Sequence, residues 1–358
     1  MSLDLVDSQK RRSALTAKLP KGGVILAFVA VAALVPQFTS NQYYLSVGYQ
    51  TEMLICLALG LNIVVGYAGL LDLGFAAFFA IGAYTTAVLS VNHHWSIIAT
   101  LVPGVLIAVV CAVIIGLPTL RLRSDYLAVV TLGFGEIIQT IANNLTMTGG
   151  PTGIYGIPTL TIGHIVIQTP AAFYYVLLVL LLLFVLISLR VRHSRIGRAW
   201  LCIREDEDAA QAMGMKIHRY KLYAYMGGAV MGSLTGSLYA PALSAISPPS
   251  FGFSESLLIL MALAIGGMGS VSGAILGGMI VVILPEAFRQ FAQTRLLVFG
   301  LVLIIVMMTR PRGLLPENAF RGFRLPFQRR RVSPLDGAVA PTVAIASSPP
   351  PASEASDR

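Results

Sequence analysis

Long apolar runs follow one another along this chain, and most are about as long as a bilayer's hydrocarbon core is thick. A helix needs about 20 mostly apolar residues to cross that core. The runs that precede residue 244 are 23–38, 44–65, 71–91, 97–117, 126–141, 171–189 and 222–243. Membrane-spanning backbone is restricted to helices and closed barrels, and the alternating ten-residue segments typical of barrel strands are not seen. The runs therefore predict an all-α, polytopic transmembrane bundle.

Composition agrees with a membrane protein, because only 11% of the residues are charged and 56% are hydrophobic. Soluble domains carry about 25% charged residues. Residues 23–38 also resemble the short core of a signal peptide, since a basic region precedes them. We interpret them as a span, because the basic region is long and no small-residue cleavage site follows.

The net charge of +9 is concentrated in three kinds of place: the N-terminal arm, the loops that follow even-numbered spans, and the C-terminal tail. Basic loops stay in the cytoplasm. The clusters are Lys10, Arg11, Arg12, Lys18 and Lys21, then Arg121 and Arg123, then residues 190–221. They agree on a cytoplasmic N-terminus and predict contact with anionic lipid of the bilayer, not with nucleic acid.

Glycines interrupt the apolar segment 257–283, at Gly266, Gly267, Gly269 and Gly273. A continuous helix would place the basic tail outside, whereas two half-helices that turn back would keep it in the cytoplasm. Irregular backbone at membrane depth is tolerated inside protein, so we favour a broken or re-entrant element. With a last span at 296–308, the bundle has about 8–10 spans. The predicted domains are a cytoplasmic arm 1–21, a transmembrane domain 22–309 and a basic, then disordered, cytoplasmic tail 310–358.

Polar residues within apolar segments are the usual candidates for a translocation path. Asp72 lies between two apolar runs, and Glu136, Gln139 and Asn143 recur at a spacing of three and four on one helical face. That face should point into the bundle or line a path. A structural hydrogen-bond cluster that positions helices is the alternative. Glu255 and Glu286 are expected at span ends, where a helix start or interfacial solvation explains them.

The loop 190–221 is the longest highly charged internal stretch, and it contains Glu207, Asp208, Ala209, Ala210 and, four residues later, Gly214. This pattern predicts a short amphipathic helix that ends at the glycine. Such a helix suits a docking surface for a soluble partner. An ordinary basic cytoplasmic loop fits the spacing equally well.

Chemistry-bearing motifs are missing from the sequence. There is no Walker-type loop for ATP, no His-Glu-x-x-His motif and no paired-carboxylate arrangement. Cys56, Cys111 and Cys202 suggest neither a disulfide nor a metal site. The chain is therefore expected to be a non-enzyme that holds no cofactor or metal of its own.

Six blocks of sequence, in this order, resemble the inner-membrane permeases of branched-chain amino acid ABC transporters, of the LivM type. They cover roughly residues 45–315 and read GYAGLLDLGFAAFFAIGAY, RLRSDYLAVVTLGFGE, TGGPTGI, GRAWLCIREDEDAAQAMGM, SPPSFGFSESLLILMALAIGGMGSVSGAILG and RPRGL. The resemblance implies one permease of an importer in the bacterial inner membrane. Its expected partners are a second, homologous permease, two cytoplasmic ABC ATPases that bind the ATP, and a periplasmic substrate-binding protein.

Within that family, Asp208-Ala209-Ala210 and Gly214 resemble the motif that couples permease to ATPase, with Asp in place of the usual Glu. The implied function is inward transport of leucine, isoleucine and valine by alternating access. Two alternatives stay open: a urea or short-amide permease of the same architecture, and a secondary transporter that works without ATPases.

Overall fold

The computed structural model describes residues 41–120, 124–162, 165–167, 169–288 and 313–315, together with positions 36, 300, 304 and 308. The predictions made for the N-terminal arm, the run 23–38, Arg121 and Arg123, and the basic tail lie outside these residues. So does most of the predicted last span, 296–308. The domain boundaries at 21 and 309 therefore stay predictions.

Helices form almost all of the described chain, as the apolar runs predicted. The helices are α1 (Gln42–Leu61), continued by a π-helical turn (Asn62–Tyr67), α2 (Ala76–His93), α3 (Ile97–Thr119), α4 (Ser124–Asn144), α5 (Pro170–Arg192), α6 (Arg195–Glu205), α7 (Glu207–Ala212), α8 (Ile217–Leu243), α9 (Phe253–Gly266) and α10 (Val271–Ala287). Short 3₁₀ turns lie at Thr146–Thr148, Gly150–Thr152 and Pro248–Phe251. The strands are β1 (Ile154–Tyr155), β2 (Leu160–Ile162), β3 (Ile165–Ile167) and β4 (Ala245–Ile246).

Five helical segments of the described chain are long and apolar enough to cross a membrane. They are Gln42–Tyr67, Ile97–Thr119, Tyr126–Asn144, Pro170–Arg192 and Pro248–Gly266. The all-α, polytopic fold is thereby confirmed. Helices α2 and α8 occupy the predicted runs 71–91 and 222–243, and the full count of spans depends on segments outside the described residues.

Helix α8 lies at the centre of the bundle and packs against α1, α2 and α3. Small residues bring its backbone next to that of α2: a Cβ at Gly82 would clash with the carbonyl of Ser233, and one at Gly236 with the carbonyl of Phe79. The Ser237 hydroxyl donates a hydrogen bond to the Gly82 carbonyl across this contact, at 3.0 Å. Close approach through small residues is the usual way in which helices associate in a bilayer.

The strands lie at the end of the bundle where α8 finishes. β1, from the α4–α5 connection, pairs antiparallel with β4, which directly follows α8, with Ile154 opposite Ile246. β2 and β3 form a second antiparallel pair in the same connection. We call this the strand end, and the opposite end, where α8 begins next to α7, the α7 end.

The glycine-rich segment is a hairpin of two helices. α9 ends at Gly266, and α10 begins at Val271 after a turn in which Gly267 and Gly269 have positive φ angles of 123° and 84°. The two helices run antiparallel, because Gly266 lies against Gly273 while Ala262 lies against Gly277. The predicted broken element is present, with its break at Gly267 and Gly269, whereas Gly273 lies within α10. The chain enters and leaves the hairpin on the same side.

Substitution of Gly277 by Ala is expected to destabilise the hairpin, since the new Cβ would overlap the Ala262 carbonyl. Overpacking of this kind costs about 1–3 kcal/mol. Thermal unfolding of detergent-purified protein measures the loss. Gly227→Ala on α8 is the matched control, because its nearest neighbour is an ordinary contact at 3.8 Å. Equal stability of the two variants would contradict the packing described.

Candidate coupling site and polar clusters

A sharp corner joins α5 to the charged segment. The Ser194 hydroxyl caps α6 by accepting a hydrogen bond from the Gly197 amide at 3.1 Å. A Cβ at Gly197 would clash with the carbonyl of Val191, so the corner requires glycine there. Helix α6 is amphipathic, and its buried Trp200 donates from Nε1 to the Tyr220 carbonyl of α8 at 2.7 Å. The corner thus fixes α6 against the start of α8.

Helix α7 is the short helix that the sequence predicted. The carboxylate of Asp206 caps its first turn and accepts a hydrogen bond from the Ala209 amide at 2.9 Å. The helix ends before Gly214, whose φ of +81° is the left-handed conformation that favours glycine. Hydrogen bonds from the amides of Gly214 and Met215 to the carbonyls of Gln211 and Ala210 close this end.

One ion pair ties the start of α7 to α8. The ammonium of Lys221 donates to both carboxylate oxygens of Glu207, at 2.7 and 2.8 Å. The Lys221 side chain is 6% exposed and that of Glu207 is 48% exposed. A buried ammonium needs such a partner because its desolvation is costly. Glu207 therefore holds α7 in a fixed orientation relative to α8.

The two faces of α7 have different environments. Ala210 is buried in a small cluster with Ile203 of α6 and Ile217 of α8. Asp208 and Ala209 are exposed, and Met213 is 83% exposed, with Gly214 beside it. Of the residues predicted to form the coupling motif, Ala210 therefore anchors the helix. Glu207 is tied to α8 through Lys221, and Asp208, Ala209 and Gly214 lie on the exposed surface.

Helix α6 also contacts the helix breaks at the α7 end. The guanidinium of Arg204 donates to the carbonyl of Gly66 in the π-helical turn. Asn62, in the same turn, accepts from the Gly269 amide of the glycine hairpin at 2.8 Å. The Leu314 amide donates to the Ile265 carbonyl at 2.9 Å. The charged segment, the π-helical turn and the hairpin turn thus meet at one end of the bundle.

Arg204 and Asn62 could not be identified as functional residues from the sequence. Arg204 looked like one of many basic residues in a charged loop, and Asn62 like a single polar residue in an apolar run. Their partners are 138 and 207 residues away in the sequence. Glu52 of α1 was also not predicted as a candidate from the sequence. It is 5% exposed and lies beside the hydroxyl of Tyr174 on α5. Its position within an apolar run was the available signal.

Asp72 lies in the segment between the π-helical turn and α2, and it is completely buried. Its Oδ1 accepts from the Gly74 amide at 2.8 Å, while the Thr131 hydroxyl of α4 accepts from the Leu73 amide at 3.1 Å. The Ser256 hydroxyl of α9 accepts from the Ala76 amide at 3.0 Å. These bonds satisfy the free amides at the start of α2, which favours the structural interpretation of Asp72.

Glu136, Gln139 and Asn143 lie on α4 as predicted, but they have different environments. Gln139 donates from Nε2 to the Pro248 carbonyl at 3.3 Å. Glu136 is exposed on the surface of this chain, and Asn143 is partly buried. Glu136 therefore does not point into the interior of this chain, and the expectation that this face lines a path stays a prediction.

Among the described residues, no group of three His, Cys, Asp or Glu side chains is placed to hold a metal ion.

Comparison with known proteins decides the family. Residues 43–307 match the model of the family described as the permease component of branched-chain amino acid transport systems. The chain belongs to this family. The LivM permease of Escherichia coli K12 is 36% identical over 322 residues, which cover 83% of this chain and 75% of that protein. The corresponding LivM permease of Salmonella typhimurium is 36% identical over 318 residues, 82% and 74% of the two chains.

A second type of permease, LivH, is also similar to this chain. LivH of Escherichia coli K12 is 26% identical over 285 residues, which cover 72% of this chain and 90% of LivH. No solved structure matches the permease. The resemblance read from the six blocks is confirmed, and so is the interpretation as a permease of an ATP-binding cassette importer. The permease is a multi-pass membrane protein.

Substitution of Glu207 by Gln is expected to destabilise the permease, because the buried Lys221 ammonium would lose its carboxylate partner. Hydrogen bonds to charged groups contribute about 1.5–3 kcal/mol, and the exposure of Glu207 places the loss in the lower part of that range. Thermal unfolding would show it.

Glu205→Gln is the matched control, since Glu205 is an exposed carboxylate on the neighbouring helix turn. Adding Lys221→Met to Glu207→Gln should restore part of the stability by removing the unpaired charge. If the single Glu207 variant unfolded like wild type, the ion pair would not hold α7.

Proposed function

We propose that the permease moves leucine, isoleucine and valine inward across the bacterial inner membrane. The cargo follows from the names of the relatives, all of which are permeases of branched-chain amino acid transport. The observation that carries the mechanism is α7, a short helix clamped to the bundle on one face and exposed on the other. We infer that two cytoplasmic ABC ATPases dock on this surface and supply the ATP, with no cofactor in the permease itself.

The second partner is a homologous permease. In Escherichia coli, LivM and LivH are both named as permeases of a high-affinity branched-chain amino acid transport system. This chain is similar to both of them. A permease pair also accounts for Glu136, because a carboxylate on an apolar helix is costly in lipid. On this proposal the α4 face of Glu136, Gln139 and Asn143 borders the path between the two permeases, and a periplasmic binding protein delivers the cargo.

The basic residues of the 190–221 segment support a cytoplasmic α7 end. The backbone at Leu314 is bonded to α9 at that same end, which supports a cytoplasmic C-terminal tail. The strand end, with β1 and β4, then faces the periplasm. Docking and delivery occur at opposite ends of α8, whose 27 residues extend about 40 Å.

Alternating access requires that ATP stabilise one arrangement of the helices over another. Two contacts transmit displacement of α7. The pair of Glu207 and Lys221 moves α8, and α6 moves the π-helical turn through Arg204. Asn62 carries that second displacement to Gly269 in the glycine hairpin. The bundle thus has two connections from the docking surface to helices that span the membrane.

Gly214→Val is expected to abolish uptake while membrane insertion is retained. A β-branched residue at φ +81° costs about 1–2 kcal/mol, which would disturb the surface next to Met213. Gly214→Asn is the control, because Asn tolerates this conformation and a Cβ here meets no other atom. ATP-driven uptake in reconstituted vesicles is the measurement. Normal uptake by the Val variant would refute the docking assignment.

Cargo is tested with the complex of permease pair, ATPases and binding protein in liposomes. We expect ATP-dependent uptake of radiolabelled L-leucine, with competition by isoleucine and valine and none by urea. If urea alone competed for uptake, the cargo would be assigned as urea instead of a branched-chain amino acid. Uptake that persists without ATPase subunits would replace the mechanism with secondary transport.

A further inference from the structure

A cavity of about 440 Å³ opens at the strand end, between α1, α2, α8, α9 and α10. Its volume falls within the roughly 300–1,000 Å³ typical of small-molecule sites. Apolar side chains form most of the wall, among them Met53, Leu54, Phe79, Leu258, Val281 and Val282. Gln50, Tyr239, Ser250 and Glu255 are the polar members. Such a lining suits a ligand with one apolar part and one strongly polar part.

Glu255 gives the cavity its charge. It lies in the first turn of α9, where its backbone amide bonds to the Gly252 carbonyl at 3.1 Å. Among the described residues, its carboxylate has no hydrogen-bond donor and no Lys, Arg or His in an ion pair. Neither Lys nor Arg is among the lining residues that the structure describes. Within the part of the chain that the structure describes, the cavity therefore presents one carboxylate to a ligand without a counter-charge beside it.

Burial of a charge is unfavourable unless an opposite charge or hydrogen bonds accompany it. A helix start explains why an acidic residue is tolerated at this position, but it does not explain why the carboxylate faces a cavity lined mainly by apolar side chains. A ligand ammonium would supply the missing charge. The side-chain amide of Gln50 and the hydroxyl of Ser250 are donors suited to a ligand carboxylate.

We propose that this cavity is the permease's own subsite for the amino acid zwitterion, with Glu255 binding the α-ammonium group. The inference rests on the proposed function and adds a site to it. The aliphatic side chain of the cargo packs against Leu54, Leu258 and Val281. Located at the strand end, the subsite receives the amino acid as the binding protein releases it.

The test compares Glu255→Gln with wild type in the assembled, detergent-purified transporter without binding protein. Binding of radiolabelled L-leucine is measured, with two competitors: 3-methylbutylamine, which keeps the amine, and 4-methylpentanoate, which keeps the carboxylate. We expect the Gln variant to bind leucine about tenfold more weakly, the loss of one charge-assisted hydrogen bond. We also expect the amine to compete in wild type and to lose that effect in the variant.

Glu286→Gln is the matched control. It neutralises a carboxylate near the end of α10 that does not line the cavity, and it should leave leucine binding unchanged. Should Glu255→Gln fail to assemble, Leu258→Trp provides a second test, since Leu258 is 36% exposed and lines the cavity. Trp would fill the space and prevent binding, while ATP hydrolysis by the complex is retained.

Equal leucine affinity in wild type and Glu255→Gln, or in wild type and Leu258→Trp, would overturn the subsite. Failure of the proposed function looks different. In that case the wild-type complex would hydrolyse ATP but neither bind nor transport leucine, isoleucine or valine. Wild-type transport together with unchanged binding in the variants would remove the subsite alone.

Discussion

Backbone that leaves the helical conformation inside a membrane must find its hydrogen bonds within the protein, and the described bundle is organised around places where this happens. The π-helical turn at the end of α1, the segment before α2 and the turn between α9 and α10 all interrupt helices. Each is satisfied by a specific side chain: Asn62 bonds to Gly269, Asp72 to Gly74, and Arg204 to Gly66. The polar residues of this apolar chain serve largely to make its irregular backbone possible.

This arrangement has a mechanical consequence. Regular helices in a packed bundle move as rigid bodies, so displacement is taken up where helices are interrupted. Two of the interruptions, at Gly66 and Gly269, contact each other, and Gly66 also accepts a hydrogen bond from the guanidinium of Arg204. The segment that carries the exposed face of α7 is therefore connected to the points where α1 and the glycine hairpin can change their relative position. Coupling between a docking surface and a membrane path requires such a connection between two arrangements.

Features set by local pattern could be predicted from sequence. Apolar length predicted the helices, the glycine cluster predicted the break after Gly266, and the Asp-Ala-Ala pattern with Gly214 predicted α7. Contacts between residues that are distant in the sequence could not be predicted. Nothing in the sequence joins Arg204 to Gly66, or Gln139 to Pro248, because such contacts depend on how helices are arranged. Glu255 was expected at a helix start and lies there, yet its cavity is formed by residues from several other elements.

The outer surface of the chain indicates which of its helices meet lipid. On α3 the exposed residues Val102, Leu106, Val110, Ile114 and Leu117 are all aliphatic and recur at helical spacing, as expected for contact with hydrocarbon. The exposed face of α4 is different, because Glu136 lies beside Ile137 there. Transfer of the Glu136 carboxylate into lipid would cost more free energy than transfer of the neighbouring Ile137 side chain releases. A surface with this mixture is more favourable against water or another protein than against lipid, which distinguishes the exposed face of α4 from that of α3.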